Sequence, residues 1–265
     1  MIAYPEIIKE KYSTNGELEV LNEFKSISLS EMNDVKLLNR FDSKYWFERK
    51  HLPVILDAIK NDYYVLDING TKIQSYNTIY FDTPDNHFYI MHHNGKSNRL
   101  KIRRRKYIMS GISFLEIKQK SNKGKTCKIR MPINDFNSEF SESEKKFINI
   151  NTPLNSDELD VKFGNLFKRI TLVNKNFNER CTIDINIRFH SIGTKYRNVH
   201  NLVIIELKQG SRNLKSKIAE TLKQNKIYQN SFSKYCMGRA LNETGLKRNR
   251  FKPDILKIEK QFKAG

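Results

Sequence analysis

The stretch LKIRRRKY, Leu100 to Tyr107, alternates so that a strand would put Lys101, Arg103 and Arg105 on one face and Ile102 and Arg104 on the other. Aligned like charges repel one another. In water the repulsion is screened, whereas inside a fold it needs an anion to offset it. The pattern recurs along the chain. RFDSKYWF sets Arg40, Asp42, Lys44 and Trp46 against Phe41, Tyr45 and Phe47, and FLEIKQK sets Glu116, Lys118 and Lys120 against Leu115 and Ile117. CKIRM opposes Lys128 and Arg130 to Cys127, Ile129 and Met131. RCTIDINIRF opposes Thr182, Asp184, Asn186 and Arg188 to Ile183, Ile185, Ile187 and Phe189, and LVIIELK ends with Glu206 and Lys208 on one face.

An antiparallel sheet with its polar face in water explains any one such strand. Here cations dominate several strands, while single carboxylates recur at Asp42, Glu116, Asp184 and Glu206. The expectation is therefore an α+β fold whose antiparallel sheet curls into a β-barrel, charged faces inward, as a cation-lined tunnel with helices flanking the apolar outer faces. Arg103 and Arg105 then point inward, Ile102 lies under a helix and Arg104 faces solvent.

The composition agrees with a polyanionic partner. Lys and Arg number 48 against 29 Asp and Glu, a formal charge of +19, which points to nucleic acid, an anionic membrane or a phosphate compound. The 265 residues, 38% of them hydrophobic, suffice for one large domain with a real core. Cys127, Cys181 and Cys236 are far apart, which argues against a disulfide framework or zinc knuckle and fits a reducing cytosol. The N-terminus lacks the basic and apolar regions of a leader, and the aliphatic stretch LVIIEL is far too short to cross a bilayer, so the expectation is a soluble protein. His92 and His93 are adjacent and point apart on a strand or loop, which reads as solvated histidines rather than metal ligands.

Helical signals fall near Ser30 to Asn39, across ERKHLPVILDAIKND, after a capping box formed by Ser141 and Glu144, and twice between Leu214 and Thr244. No repeat or flexible linker divides the chain. NKGKT, Asn122 to Thr126, imitates the end of a P-loop, but Gln119 stands where the motif needs glycine, so it reads as a basic hairpin turn. The final LKRNRFKPDILKIEKQFK reads as a solvated basic tail.

In this order, RFDSKYWF, YFDTPD from Tyr80, KIRRR, EIK, CKIR, RCTID, IELK and SFSKY resemble the polyphosphate polymerase domain of the vacuolar transporter chaperone family, a branch of the triphosphate tunnel metalloenzymes. The resemblance spans roughly Val35 to Leu241. It implies an N-terminal extension over 1–34, a catalytic domain over 35–244 and a basic tail over 245–265. It also implies that Lys44, Arg103, Arg105, Lys118, Lys128, Arg169, Arg180, Lys208 and Lys234 act on phosphate, that Lys101, Arg130 and Ser233 help bind it, and that Glu206 holds a divalent metal, Mn²⁺ or Mg²⁺. Phe167 stands where the family carries tyrosine before Arg169.

The reaction so implied moves the ATP γ-phosphate onto a growing polyphosphate chain and releases ADP. ATP and polyphosphate are its partners, DNA is not, and a membrane protein would export the product from a chain that is cytoplasmic or peripheral at a membrane's inner face. The hydrolase and cyclase relatives begin Glu-x-Glu-x-Lys, and here those positions are Arg40, Asp42 and Lys44. A tunnel phosphohydrolase acting on tripolyphosphate or a nucleoside triphosphate, and a non-catalytic RNA or polyphosphate binder, are the alternatives.

Overall fold

Period-two alternation is realised as strands. The computed structural model describes residues 16, 18–33, 41–122, 126–136, 139–192, 196–211 and 213–261. In chain order these form β1 (Lys25–Ile27), α1 (Leu29–Asn33), β2 (Phe41–Glu48), α2 (Leu52–Ile59), β3 (Tyr63–Leu66), β4 (Ile73–Asp82), α3 (His87–His93), β5 (Arg99–Tyr107), β6 (Ser113–Lys120) and β7 (Thr126–Ile133). There follow α4 (Glu142–Asn151), β8 (Asp160–Asn174), β9 (Glu179–Ser191), β10 (Arg197–Val199), β11 (Leu202–Gln209), α5 (Lys217–Gln224), α6 (Lys234–Asn242) and α7 (Lys252–Gln261). Arg40 and the end of the helical signal near Ser30 to Asn39 lie outside the described residues, as do residues 123–125 of the basic turn between β6 and β7.

The main sheet runs β2-β11-β9-β8-β4-β5-β6-β7, antiparallel throughout. The small strands β1, β3 and β10 attach at its side. Among the described residues β2 and β7 do not pair, so the hydrogen-bonded path stays open there. The twist natural to strands nevertheless brings its two ends together. Lys118 on β6 feels Glu206 on β11 and Lys44 on β2. Across the gap, Lys44 Nζ donates to the Phe232 carbonyl at 3.1 Å, and Lys101 Nζ on β5 donates to Ser233 Oγ at 3.2 Å. The result is a barrel-like tunnel in which the segment before α6 ties one side to the other.

The apolar alternates form the outer wall. Tyr45, Phe47, Ile183, Ile205 and Leu207 pack against Leu52, Ile55, Leu56 and Ile59 of α2 and Ile218 and Leu222 of α5. On the other flank Ile79, Ile102, Leu115 and Ile117 meet Ile148 of α4. The capping box forms as read: Ser141 Oγ accepts from the Glu144 amide while the Glu144 carboxylate accepts from the Ser141 amide.

Arg104 departs from its expected solvent exposure. It is 1% exposed, shares the outer face with Ile102 and lies under α4. Its Nε and Nη2 donate to the two carboxylate oxygens of Glu144 at 2.8 and 2.9 Å, and further donors reach the carbonyls of Phe136 and Glu139. A forked guanidinium can satisfy a carboxylate and two carbonyls at once, which is how a charge is carried beneath a helix. The Glu144 that closes the capping box also neutralises the strand.

The basic C-terminal segment is not solvated either. Phe251, Ile255 and Ile258 are buried in a cluster with Trp46, Tyr80, Phe163, Phe189, Tyr235 and Met237. This cluster fills one end of the tunnel, and α6 forms its centre. Gly238 of α6 faces Phe163 and Phe189; a Cβ there would overlap the Phe163 ring and stand 3.0 Å from Phe189 Cδ1. Gly238→Ala adds helix propensity of about 1 kcal/mol but overpacks the plug, so a net loss of ~1–2 kcal/mol is expected in a denaturant melt.

Candidate active site

One face of the curled sheet supplies the interior. Cross-strand register places Lys44 opposite Glu206, Glu206 opposite Thr182, Asp184 opposite Arg169 and Thr78 opposite Arg105. It also places Arg103 opposite Glu116, and Lys101, Lys118 and Lys128 in one row across three strands. By this alternation Lys44, Lys101, Arg103, Arg105, Lys118, Lys128, Arg130, Arg169, Arg180, Glu206 and Lys208 share the inner face. Ser233 and Lys234 arrive from the start of α6, where Ser233 is the N-cap and accepts from the Cys236 amide.

The interior carboxylates are each shared between cations. Glu116, fully buried, accepts from Arg103 Nε at 2.7 Å and from Lys128 Nζ at 2.5 Å. Asp184 accepts a forked pair from Arg169 Nε and Nη2, at 2.5 and 2.8 Å, and also bonds Lys234. Glu206 accepts from Lys208 Nζ at 2.7 Å and lies 3.7 Å from Lys44 Nζ. Burial raises the pKa of each carboxyl, and the adjacent cations more than reverse it. Glu116 is held down to about 2 by Arg103, Arg105 and Lys128. Arg169 and Lys234 hold Asp184 well below the usual carboxylate range, and Lys208 and Lys44 do the same for Glu206. All three remain anions at neutral pH.

Lys101, Arg105 and Lys118 have no carboxylate within bonding distance among the described residues; Glu116 acts on Arg105 and Glu206 on Lys118 only at longer range, which leaves the donors of all three open to an anion. Burial pushes Lys101 down to about 8, with Lys44 and Lys118 adding repulsion. Lys128 is likewise lowered to about 8 by burial, with Arg103 and Arg105 adding to the effect. A lysine depressed in the folded state costs stability while both states are charged, and that cost is relieved as pH rises from about 8 toward its ordinary 10.5. Above about pH 8, then, the empty protein is expected to gain stability while its affinity for tripolyphosphate falls. Thermal melts with and without tripolyphosphate check this, and a ligand-induced shift unchanged to about pH 9.5 would remove these lysines from the site.

The histidine pair corrects another expectation. His92 and His93 lie on α3, whose His87 amide donates to Thr83 Oγ1 and whose Phe88 and Tyr89 amides donate to the buried Asp82 carboxylate. His93 is buried and accepts from the Arg250 amide. His92 is lowered to about 2 by burial and by Lys101, Arg99, Lys44 and Arg250, so it stays neutral beside the tunnel. Neither is a solvated histidine.

Alternation alone did not assign several inner residues. Tyr80 receives Arg103 Nη1 at 3.4 Å; burial raises its phenol, but Arg103, Arg105 and Lys101 bring it down to about 8. Thr78 accepts from Arg105 Nε at 3.3 Å, and Asn165, buried opposite Thr78, has both amide atoms without a partner. Tyr80 was within reach of the alternation in NTIYFD; Asn165 carried no signal.

Glu206 also passes a test of fit for a metal. Among the described residues no three His, Cys, Asp or Glu side chains gather as an all-protein metal cage. Mg²⁺ and Mn²⁺ on phosphates need only one or two carboxylates, the remaining ligands being phosphate oxygens and water. Glu206, with 22% of its side chain exposed, suits that demand better than Glu116 at 0% or Asp184 at 4%, each of which bonds two cations directly where Glu206 bonds Lys208 and has Lys44 3.7 Å away.

Comparison with solved structures finds loose likenesses. A candidate adenylate cyclase from Bacillus halodurans is 14% identical at TM-score 0.47, with 72% of this chain and 92% of that chain covered. A candidate adenylyl cyclase from Hippeastrum, described as having a dominant triphosphatase activity, is 14% identical at TM-score 0.49, covering 75% and 94%. No curated protein matches. The VTC domain, by contrast, matches residues 39–242, from just before β2 to the end of α6, and the chain belongs to the VTC domain family.

Proposed function

We propose that this chain is a metal-dependent polyphosphate polymerase that transfers the γ-phosphoryl group of ATP to the end of a growing polyphosphate chain. The observation that carries this reading is the inner face of the sheet, where phosphate-binding cations crowd and the carboxylates beside them are already neutralised. In the transfer, a terminal phosphate oxygen of the acceptor forms a bond to the γ-phosphorus. The bond from that phosphorus to the β,γ-bridging oxygen breaks, and ADP leaves with the electron pair. The acceptor is already an anion, so no general base is needed, and catalysis reduces to alignment and neutralisation of charge.

The residues divide that work. Lys101, Arg105 and Lys118, which bond no carboxylate among the described residues, offer their charge to the phosphates. Lys44 and Lys208 flank Glu206, which would hold the divalent ion; when bound, the ion neutralises charge on phosphate oxygens. Arg103, Lys128, Arg169 and Lys234 are fixed in place by Glu116 and Asp184, which holds them oriented before substrate arrives. Arg180 and Ser233 complete the set, Arg180 opposite Lys208 and Ser233 against Lys101.

The reading keeps 35–244 as the catalytic domain, with α7 packed onto it. No helix among the described residues is long and apolar enough to cross a membrane, and all three cysteines are free. The reading further takes the chain as cytoplasmic, handing its product to a membrane-protein exporter.

The test is to incubate the protein with ATP and Mn²⁺ and to run the products on a polyphosphate gel. Long chains with matching ADP are expected. Phosphate release without chains would establish a hydrolase, and no ATP consumption at all would leave a polyanion binder.

A further inference from the structure

The two ends of the inner face differ in chemistry. At one end Lys101, Lys118 and Lys128 stand in a row across β5, β6 and β7, with Arg99 and Lys120 paired just beyond them. Toward the hairpin that joins β5 to β6 the inner face turns aromatic. Phe114 meets Tyr107 edge to face at 5.9 Å, Tyr107 lies 5.0 Å from Tyr76, and Tyr76 stacks on Phe167 at 5.2 Å with the planes 5° apart. Arg105 and Arg169 lie over the inner rings of this series, and the Arg130 guanidinium covers Phe114 at 4.4 Å.

Tyr76 and Phe167 are buried in the plug cluster, but Phe114 is only half-buried and belongs to none of the apolar clusters. Arg130 is exposed and has no carboxylate partner among the described residues. A half-exposed ring under a free guanidinium, directly opposite Arg105, is poorly explained as core packing. It is well explained as a stacking surface, because any nucleobase has a π-face that rings and guanidinium planes accept.

A nucleoside triphosphate has the same polarity as this wall, an aromatic base joined to a run of phosphates, whereas polyphosphate has only the phosphates. Resting on the reading that the site takes a nucleoside triphosphate, we propose that the donor's nucleobase stacks on a shelf formed by Phe114, Tyr107 and the Arg130 guanidinium, with its phosphates running inward past Arg105. A shelf that reads a π-face rather than an edge pattern accepts purine triphosphates with little distinction between adenine and guanine.

The experiment compares two probes on the full chain without metal, by calorimetry: the β,γ-imido analogue of ATP, and inorganic tripolyphosphate. Phe114→Leu is expected to weaken the analogue on the order of tenfold, with tripolyphosphate within about twofold. Phe114→Tyr, which keeps the ring, restores the analogue. Tripolyphosphate binding doubles as the control that the variants fold. Equal losses on both probes, or no loss on the analogue, would overturn the shelf while leaving the triphosphate site standing. Failure of the wild-type chain to bind either probe would overturn the triphosphate reading, and the shelf with it.

Discussion

Asp184→Asn is expected to lower the melting temperature of the empty protein by about 10 °C, with tripolyphosphate restoring most of the loss. Asp184 is 4% exposed and, among the described residues, is the carboxylate that bonds both Arg169 and Lys234, whose side chains are 16% and 14% exposed. Asparagine keeps the shape but removes the charge, leaving two largely desolvated cations facing one another. Breaking a buried pair from one side costs about 3–5 kcal/mol. For a chain of this size that corresponds to a shift of roughly 2–4 °C per kcal/mol.

The recovery is the more telling half. If Arg169 and Lys234 face a phosphate site, an added polyanion supplies the charge that asparagine lacks, and the variant gains more from ligand than the wild type does. Destabilisation without recovery would make Asp184 a structural anion in a wall that substrate does not reach.

Glu206→Gln is expected to reduce ATP turnover with Mn²⁺ by at least about 100-fold, equivalent to ~2.7 kcal/mol of transition-state stabilisation. Metal-free tripolyphosphate binding should hold or tighten, because an anion is removed beside Lys44 and Lys208. The contrast separates a metal ligand from a mere salt bridge, since loss of a salt bridge would disturb binding and melting without a selective effect on turnover. Turnover that survives the change would place the metal elsewhere.

How much of this was legible before the structure differs from residue to residue. Arg103 and Arg105 were placed by alternation, because strand geometry fixes the face of every second side chain whatever the strand pairs with. Arg104 was misplaced because alternation separates two faces without saying whether the second one is wet. Its cover, Glu144, lies 40 residues away, and only the way α4 packs back on the sheet brings them together.

The same limit applies to the interior. Glu116 and Asp184 stood out in the sequence as lone acids among cations, but which cations they neutralise depends on cross-strand register and on the return of α6. His92 and His93 were misread because α3 is capped by Asp82 and Thr83, at and just past the end of the preceding strand, while Asn86, which directly precedes the helix, makes no side-chain cap bond. The tail's few apolar residues, Phe251, Ile255 and Ile258, have helical spacing that its many lysines obscured.

The carboxylates shared among the tunnel cations have a consequence for how binding responds to salt. An ordinary basic groove is dressed with loosely held anions from solution, and a polyanion gains entropy by setting them free. Here Glu116, Asp184 and Glu206 already occupy that role as tethered counterions, and they have nowhere to go. Substrate then competes with fixed charge inside an ion exchanger of the protein's own making. Affinity for phosphate chains should decline with ionic strength more gently than the number of lysines and arginines on the wall would suggest.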